Sequence, residues 1–144
     1  MDGMLITHRG VVYPSQCDQM GHMNVMYYVG KFDEATWQLF ASIGITPTYI
    51  REKLRGVAAI RQQISYRREL RAGDLVTVRS GILEISPKQV RFYHEMCNDQ
   101  TGDLAATTVI NAVHLDLQTR RSIPFPAEIV AQAAGFTVNI TPVV

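Results

Sequence analysis

Between Asn24 and Ile43, apolar residues fall at Tyr28, Phe32, Ala35, Leu39 and Ile43, steps of three and four that an α-helix brings onto one face. Lys31, Glu34, Gln38 and Ser42 lie opposite, and Trp37 and Phe40 widen the apolar stripe. A helix apolar over so much of its circumference must be embraced by another layer and not merely laid on one. Asn24 suits the N-cap, and Gly44 suits the left-handed residue that follows a last turn. The pattern therefore predicts one long helix over residues 24 to 43.

What embraces it follows from a change of period. His8 to Tyr13 is a short apolar run that Pro14 closes, as an edge strand would be. Thr46-Pro47, with Tyr49, Ile50 and Leu54, predicts a short second helix ending at Gly56. Beyond it the period becomes two. Ala58, Ile60, Ile64, Tyr66 and Leu70 mark one face of a strand, and Arg61, Gln63, Ser65, Arg67 and Glu69 mark the other. After a turn at Ala72-Gly73-Asp74, Val76 and Val78 share a parity that Leu83 and Ile85 do not, which predicts a bulge at Gly81. Val90, Phe92 and Met96 line a fourth strand. Ala105, Thr107, Val109, Val113, Leu115 and Leu117 form a fifth, and a short helix is expected between Pro124 and Gly135. One helix followed by an antiparallel meander is an α+β pattern, an antiparallel sheet of about five strands wrapped around the helix. It lacks the alternation of a parallel nucleotide-binding sheet.

No repeat or linker divides the chain, so residues 1–144 read as one domain, and 47% hydrophobic residues supply its core. A net charge of +1 carries no field for nucleic acid or an anionic membrane. Cys17 and Cys97 could make only one bridge and are read as thiols of a reducing compartment. No signal-like segment or apolar run of membrane-spanning length appears, and a cytoplasmic protein is expected.

The segment Gln16-Cys17-Asp18-Gln19-Met20-Gly21-His22-Met23-Asn24 places a carboxylate just ahead of the long helix. The first amides of a helix lack intrahelical acceptors and carry partial positive charge, which suits a developing oxyanion. Asp18 could act there as nucleophile or as base for water, with amides near Asn24 and Val25 holding a carbonyl. The commoner role of such an aspartate is to cap a turn. Gly21 would admit substrate close to the backbone. His22 could polarise a substrate or simply bond the loop, and Tyr28 stands one turn into the helix. The spacing of His8, His22, His94 and His114 matches no metal motif. Asp33 and Glu34 fall on the exposed helical face, where a solvated role is the ordinary one. Lys88, Arg91, Arg120 and Arg121 fall near strand ends, where they could meet coenzyme phosphates or serve as surface charge. Phosphate-binding glycine loops, a nucleophile elbow and a redox C-x-x-C are all absent from the sequence.

The run Asp18-Gln-Met-Gly21-His22-Met23-Asn24-Val-Met-Tyr27-Tyr28, followed by Phe32-Asp33-Glu34-Ala35, resembles the 4-hydroxybenzoyl-CoA thioesterase-like family of the hot-dog superfamily. Tyr66 to Asp74 and Gly102 to Ala106 extend the resemblance, which covers about residues 8 to 126. It implies a hot-dog fold and hydrolysis of an acyl-CoA, coenzyme A being part of the substrate and no other cofactor being required. Asp18 would be the nucleophile or base and the Val25 amide the oxyanion donor. Gly21, His22, Asn24 and Tyr28 would line the substrate site, with Lys88 and Arg91 toward the coenzyme. It also implies homodimers with sites between subunits, often paired into tetramers. His22-Met23-Asn24 is most similar to members acting on small aliphatic or quaternary-ammonium acyl-CoA esters such as betainyl-CoA. Pro87-Lys88-Gln89 departs from the small-residue segment that often contacts the coenzyme in the family. The same pocket would equally serve a non-catalytic acyl-CoA sensor or a thioesterase for acyl carrier protein.

Overall fold

The computed structural model describes residues 3–143. Strand β1 (Leu5–Val11) and a single 3₁₀ turn (Pro14–Gln16) lead into helix α1 (Val25–Ser42) and the short α2 (Pro47–Lys53). Strands β2 (Arg55–Tyr66), β3 (Leu75–Ile85), β4 (Gln89–Asn98) and β5 (Leu104–Asp116) follow, and then α3 (Ala127–Ala134). The strands form one antiparallel sheet in the order β1-β3-β4-β5-β2, curved around α1 in the hot-dog arrangement.

The stripe on α1 is buried as its spacing requires: Tyr28, Phe32, Ala35, Leu39 and Phe40 all face the sheet. Asn24 caps the helix by accepting from the Met26 amide at 3.0 Å, and Gly44 follows the last turn with φ of +97°. Two residues differ from expectation. Lys31, placed on the polar face, is buried, its ammonium reaching the Val11 carbonyl at 3.4 Å while its stem covers apolar surface. Trp37, counted with the stripe, is 44% exposed. The reason is the seat of α1, which lies mainly over β1 and β3 and leaves its other flank uncovered toward β2.

Two apolar clusters meet along α1, one around Tyr28, Phe32, Val78 and Met96, the other around Leu39, Phe40, Phe92 and Ile110. Between them runs a buried polar chain with a direction. The Thr36 hydroxyl donates to the Phe32 carbonyl at 2.9 Å and so accepts from His94 Nε2 at 2.8 Å. His94 Nδ1 is then the acceptor for Ser80, whose oxygen takes the Thr7 hydroxyl proton at 2.7 Å. Every polar atom of this chain finds a partner, which is the condition for burying it.

Strand faces depart from simple alternation where bulges intervene. In β2 the register shifts between Ala59 and Arg61. Val57 and Ala59 before the shift and Gln62 and Ile64 after it therefore share the side facing α1, so the expected even-numbered face holds at Ile64 but not at Ala58, and Ile60 at the bulge is 56% exposed. Leu70 is buried as expected, but beyond the end of the strand. In β3 the irregularity falls between Ile82 and Glu84, two residues past Gly81. Gly81 instead makes room for the chain's end. A Cβ there would come within 2.7 Å of Val138, because the C-terminal segment crosses this spot and bonds Ile82 through Phe136 and Val138. In β5 the interior face is Ala106, Thr108, Ile110, Ala112 and His114, set by pairing with Met96, His94, Phe92 and Val90. The odd-numbered residues by which the strand is recognised lie on its other face, where Ala105, Thr107 and Val109 are buried as well. Leu54, with φ of 53°, closes α2 two residues before Gly56, and α3 lies in the segment expected to be helical. Cys17 and Cys97 are free thiols.

Candidate active site

The loop before α1 is a narrow hairpin. Cys17 bridges Met23, the Asp18 amide donates to the His22 carbonyl at 3.1 Å, and the Gly21 amide returns to the Asp18 carbonyl at 3.0 Å. Gly21 takes φ of +82°, and nothing lies within 4 Å of where its Cβ would be. Its glycine therefore serves the backbone conformation of the turn in the first place.

This hairpin delivers Asp18 to the tip of α1. One carboxylate oxygen accepts from the Met20 amide at 2.9 Å, and the other receives the Asn24 side-chain amide at 3.4 Å. Asn24 thus faces two ways, capping the helix with its oxygen and contacting Asp18 with its nitrogen. Asp18 is half-buried, open to a ligand. Val25, the first helical residue, is 56% exposed, and among the described residues none accepts its amide hydrogen. A carboxylate held by the cap residue and an unspent helix N-terminal donor thus fall on adjoining parts of one short segment, where the helix start carries partial positive charge.

Beside them is a cavity of about 210 Å³ lined by His22, Met23, Val25, Tyr28, Tyr66, Arg67, Arg68 and Glu69. Its far wall comes from the end of β2, fastened by Met23 N–H to the Leu70 carbonyl at 2.7 Å and by the Tyr28 hydroxyl to the Arg68 carbonyl at 3.3 Å. Tyr28 meets Tyr66 edge-to-face at 5.2 Å, and burial pushes its phenol above the ordinary tyrosine range, so it stays a donor. His22 approaches Glu69 at 3.9 Å. Of the residues expected at the site, His22, Val25 and Tyr28 line this cavity, while Asp18, Gly21 and Asn24 belong to the hairpin and the helix cap and are not among its lining residues. Lys88 and Arg91 lie elsewhere: Lys88 sits in the turn beside His114, and Arg91, on an odd position of β4, faces outward among Glu84, Ser86 and Asn111. The basic residues at this cavity are Arg67, read from the sequence only as part of a strand's polar face, and Arg68, which the sequence did not single out. Among the described residues no three His, Cys, Asp or Glu side chains gather as a metal site, and no helix is long and apolar enough to cross a membrane.

A curved antiparallel sheet around one long helix is the hot-dog fold. The sequence matches the Thioesterase-like superfamily over residues 12–133, and the chain belongs to that family, a family of thioester hydrolases. It is 26% identical over 132 residues to a betainyl-CoA thioesterase of Pseudomonas aeruginosa, covering 92% of this chain and 83% of that one. A hypothetical protein from Staphylococcus aureus solved in complex with CoA superposes with a TM-score of 0.87 at 22% identity, covering 96% of this chain and 89% of that one. The 1,4-dihydroxy-2-naphthoyl-CoA thioesterase of Synechocystis gives a TM-score of 0.79 at 18% identity, covering 90% and 95% of the two chains. These likenesses to solved structures show the fold.

Proposed function

We propose that the chain hydrolyses an acyl-CoA to a carboxylate and free coenzyme A at the tip of α1, with no metal or further cofactor. The observation that carries this is the placement of Asp18 against the helix start, with its carboxylate 3.4 Å from the cap amide of Asn24. The thioester carbonyl oxygen accepts the Val25 amide hydrogen, and the helix N-terminus stabilises the oxyanion. Asp18 either attacks the carbonyl carbon, forming an acyl anhydride that water opens, or removes a proton from the attacking water. In both routes the C–S bond breaks as the tetrahedral intermediate collapses, and coenzyme A leaves as a thiolate that water protonates. Arg67 and Arg68 stand where the coenzyme's phosphates would leave the cavity. The free edge of β2, with Ile60 and Tyr66 exposed, is the surface for a second copy, giving the homodimer that the family resemblance implies. Two free cysteines suit a cytoplasmic location.

A second reading has support in the same geometry. Both carboxylate oxygens of Asp18 are engaged by the loop, as in a residue that only caps it. Thiol release from a panel of acyl-CoA esters separates the two. Asp18→Asn is expected to lower kcat by at least ~10²-fold, the loss typical of a missing acid–base group. Turnover of the best ester unchanged by this substitution would leave Asp18 a capping residue and the site a binding pocket.

A further inference from the structure

A cavity of about 630 Å³ opens in the cleft between α2 and α3, against about 210 Å³ for the one beside Val25. It lies past the far end of α1, and the rise from Val25 to Ser42 separates it from the helix start by about 25 Å. Behind its floor stands His114, fully buried and idle in the proposed hydrolysis. The Phe125 ring packs on it at 4.7 Å between centroids, and burial lowers its pKa and so keeps the imidazole neutral. Nδ1–H donates to the Ile123 carbonyl at 2.9 Å, so Nε2 is the acceptor and takes the Tyr49 hydroxyl proton at 2.8 Å. The phenol therefore points its proton inward, and the Arg55 guanidinium lies against its oxygen. Burial raises the phenol above the ordinary tyrosine range, so it does not become a competing anion.

Charge and burial decide what such a cavity can hold. Arg55 is half-buried and makes no ion pair among the described residues. Glu52, Lys53 and Glu128 also line the cavity, but all three are exposed, and water screens them. The charge drawn out of water is thus a single guanidinium. One monoanion completes it, and the planar fork of N–H donors matches a carboxylate. A phosphate dianion would overshoot that one charge in the presence of Glu52 and Glu128. The rest of the wall is apolar: Ile129 of α3 is 4% exposed, and Pro126 and the Tyr49 ring stand beside it. A space of this size takes a whole small molecule and not merely an ion.

We infer that the cleft between α2 and α3 is a second ligand site, which takes a monocarboxylate with an aliphatic body, the carboxylate on Arg55 and the body on Tyr49, Pro126 and Ile129. The bond from Tyr49 to His114 fixes the floor in advance, so little is left to order on binding. The acid released by thioester hydrolysis is one member of this ligand class. The site itself stands whether or not Asp18 hydrolyses a thioester.

The test is an NMR titration of the whole chain with hexanoate and with hexanamide, its uncharged isostere, followed at the Arg55 Nε–H and the Ile129 methyls. Hexanoate is expected to give saturable shifts at both, with an affinity at least about tenfold above that of the amide, the scale of a hydrogen bond to a charged group. Arg55→Gln should bring the acid down to the level of the amide. Arg55→Lys, which keeps the charge but not the fork, should fall between. A saturating thioether analogue of hexanoyl-CoA, which fills the thioester site, should leave hexanoate binding unchanged. Equal binding of acid and amide overturns the inference, as does binding that survives Arg55→Gln. Displacement of hexanoate by the thioether analogue also overturns it, because the acid would then be reporting the thioester site. The comparison of acid with amide is made on the parent chain, so a variant that fails to fold does not leave the question open.

Discussion

His94 makes the protein's stability depend on pH in a way that can be measured. It is fully buried between α1 and the sheet, and burial holds its imidazole down to about 3. Both ring nitrogens are already committed, Nε2 donating to Thr36 and Nδ1 accepting from Ser80, so a second ring proton would break the Ser80 contact and place a charge in the core. In the unfolded chain the ring titrates near 6.5. The unfolded state therefore binds the proton first, so the stability is fully present above about pH 6.5 and falls as the pH drops toward about 3. The slope approaches about 1.4 kcal/mol per pH unit, which gives a loss of about 2 kcal/mol at pH 5 from this one group. His8 and His114, both lowered chiefly by burial, act in the same direction. Urea unfolding of the parent and of His94→Gln, at neutral pH and at about pH 5, isolates the His94 part. The parent should lose about 2 kcal/mol more than the variant. Equal losses would show that His94 is not the neutral core residue described here.

Two further outcomes test the site and its setting. Asn24→Ala should cost about 1 kcal/mol and lower Tm by roughly 2–4 °C through the lost cap, and kcat should drop at least about tenfold as Asp18 loses a donor. Asn24→Ser should recover the stability and not the turnover, and recovery of both would show that the contact between Asn24 and Asp18 has no part in catalysis. Sedimentation should give twice the chain mass, and Ile60→Lys should shift the equilibrium toward single chains, since a charged edge resists pairing. A parent that sediments as one chain at micromolar concentration would remove the proposed interface.

The helix was readable because its signal is local and repeated: a period near 3.6 over five turns survives a misplaced Lys31 or Trp37. The strands were readable as strands but not always by face. Ile60 carries no glycine or proline to announce the bulge at which β2 changes parity. In β5 both faces are apolar because both are covered, the interior by α1 and the outer by the returning tail, where Thr107 bonds the Val143 carbonyl. Alternation cannot choose between two buried faces. The same division runs through the site. Asp18, Asn24 and Val25 lie within one short segment, so the cap and the acid could be read together. The Tyr66 to Glu69 wall is some forty residues further on and arrives only through Met23, Tyr28 and their partners in the turn after β2. Asp33 is exposed, as its place outside the helical stripe leads one to expect.

The off-centre seat of α1 joins these findings into one consequence. Had the helix lain centrally over β4 and β5, Trp37 would have filled the core and the space beside β2 would have closed. Lys31 and His8 instead fasten α1 toward β1, the first by its bond to Val11 and the second by its approach to Glu34 at 3.5 Å. The buried chain from Thr36 through His94 to Ser80 and Thr7 fixes the middle of the helix to β4, β3 and β1. A polar chain tolerates little sliding, because each displaced hydroxyl would be left unsatisfied in the core. The cavity between α1 and β2 is therefore held open by contacts on the far side of the helix. This places the determinants of cavity shape in residues that no ligand touches, while the reacting groups sit at the one end of α1 where backbone donors are free.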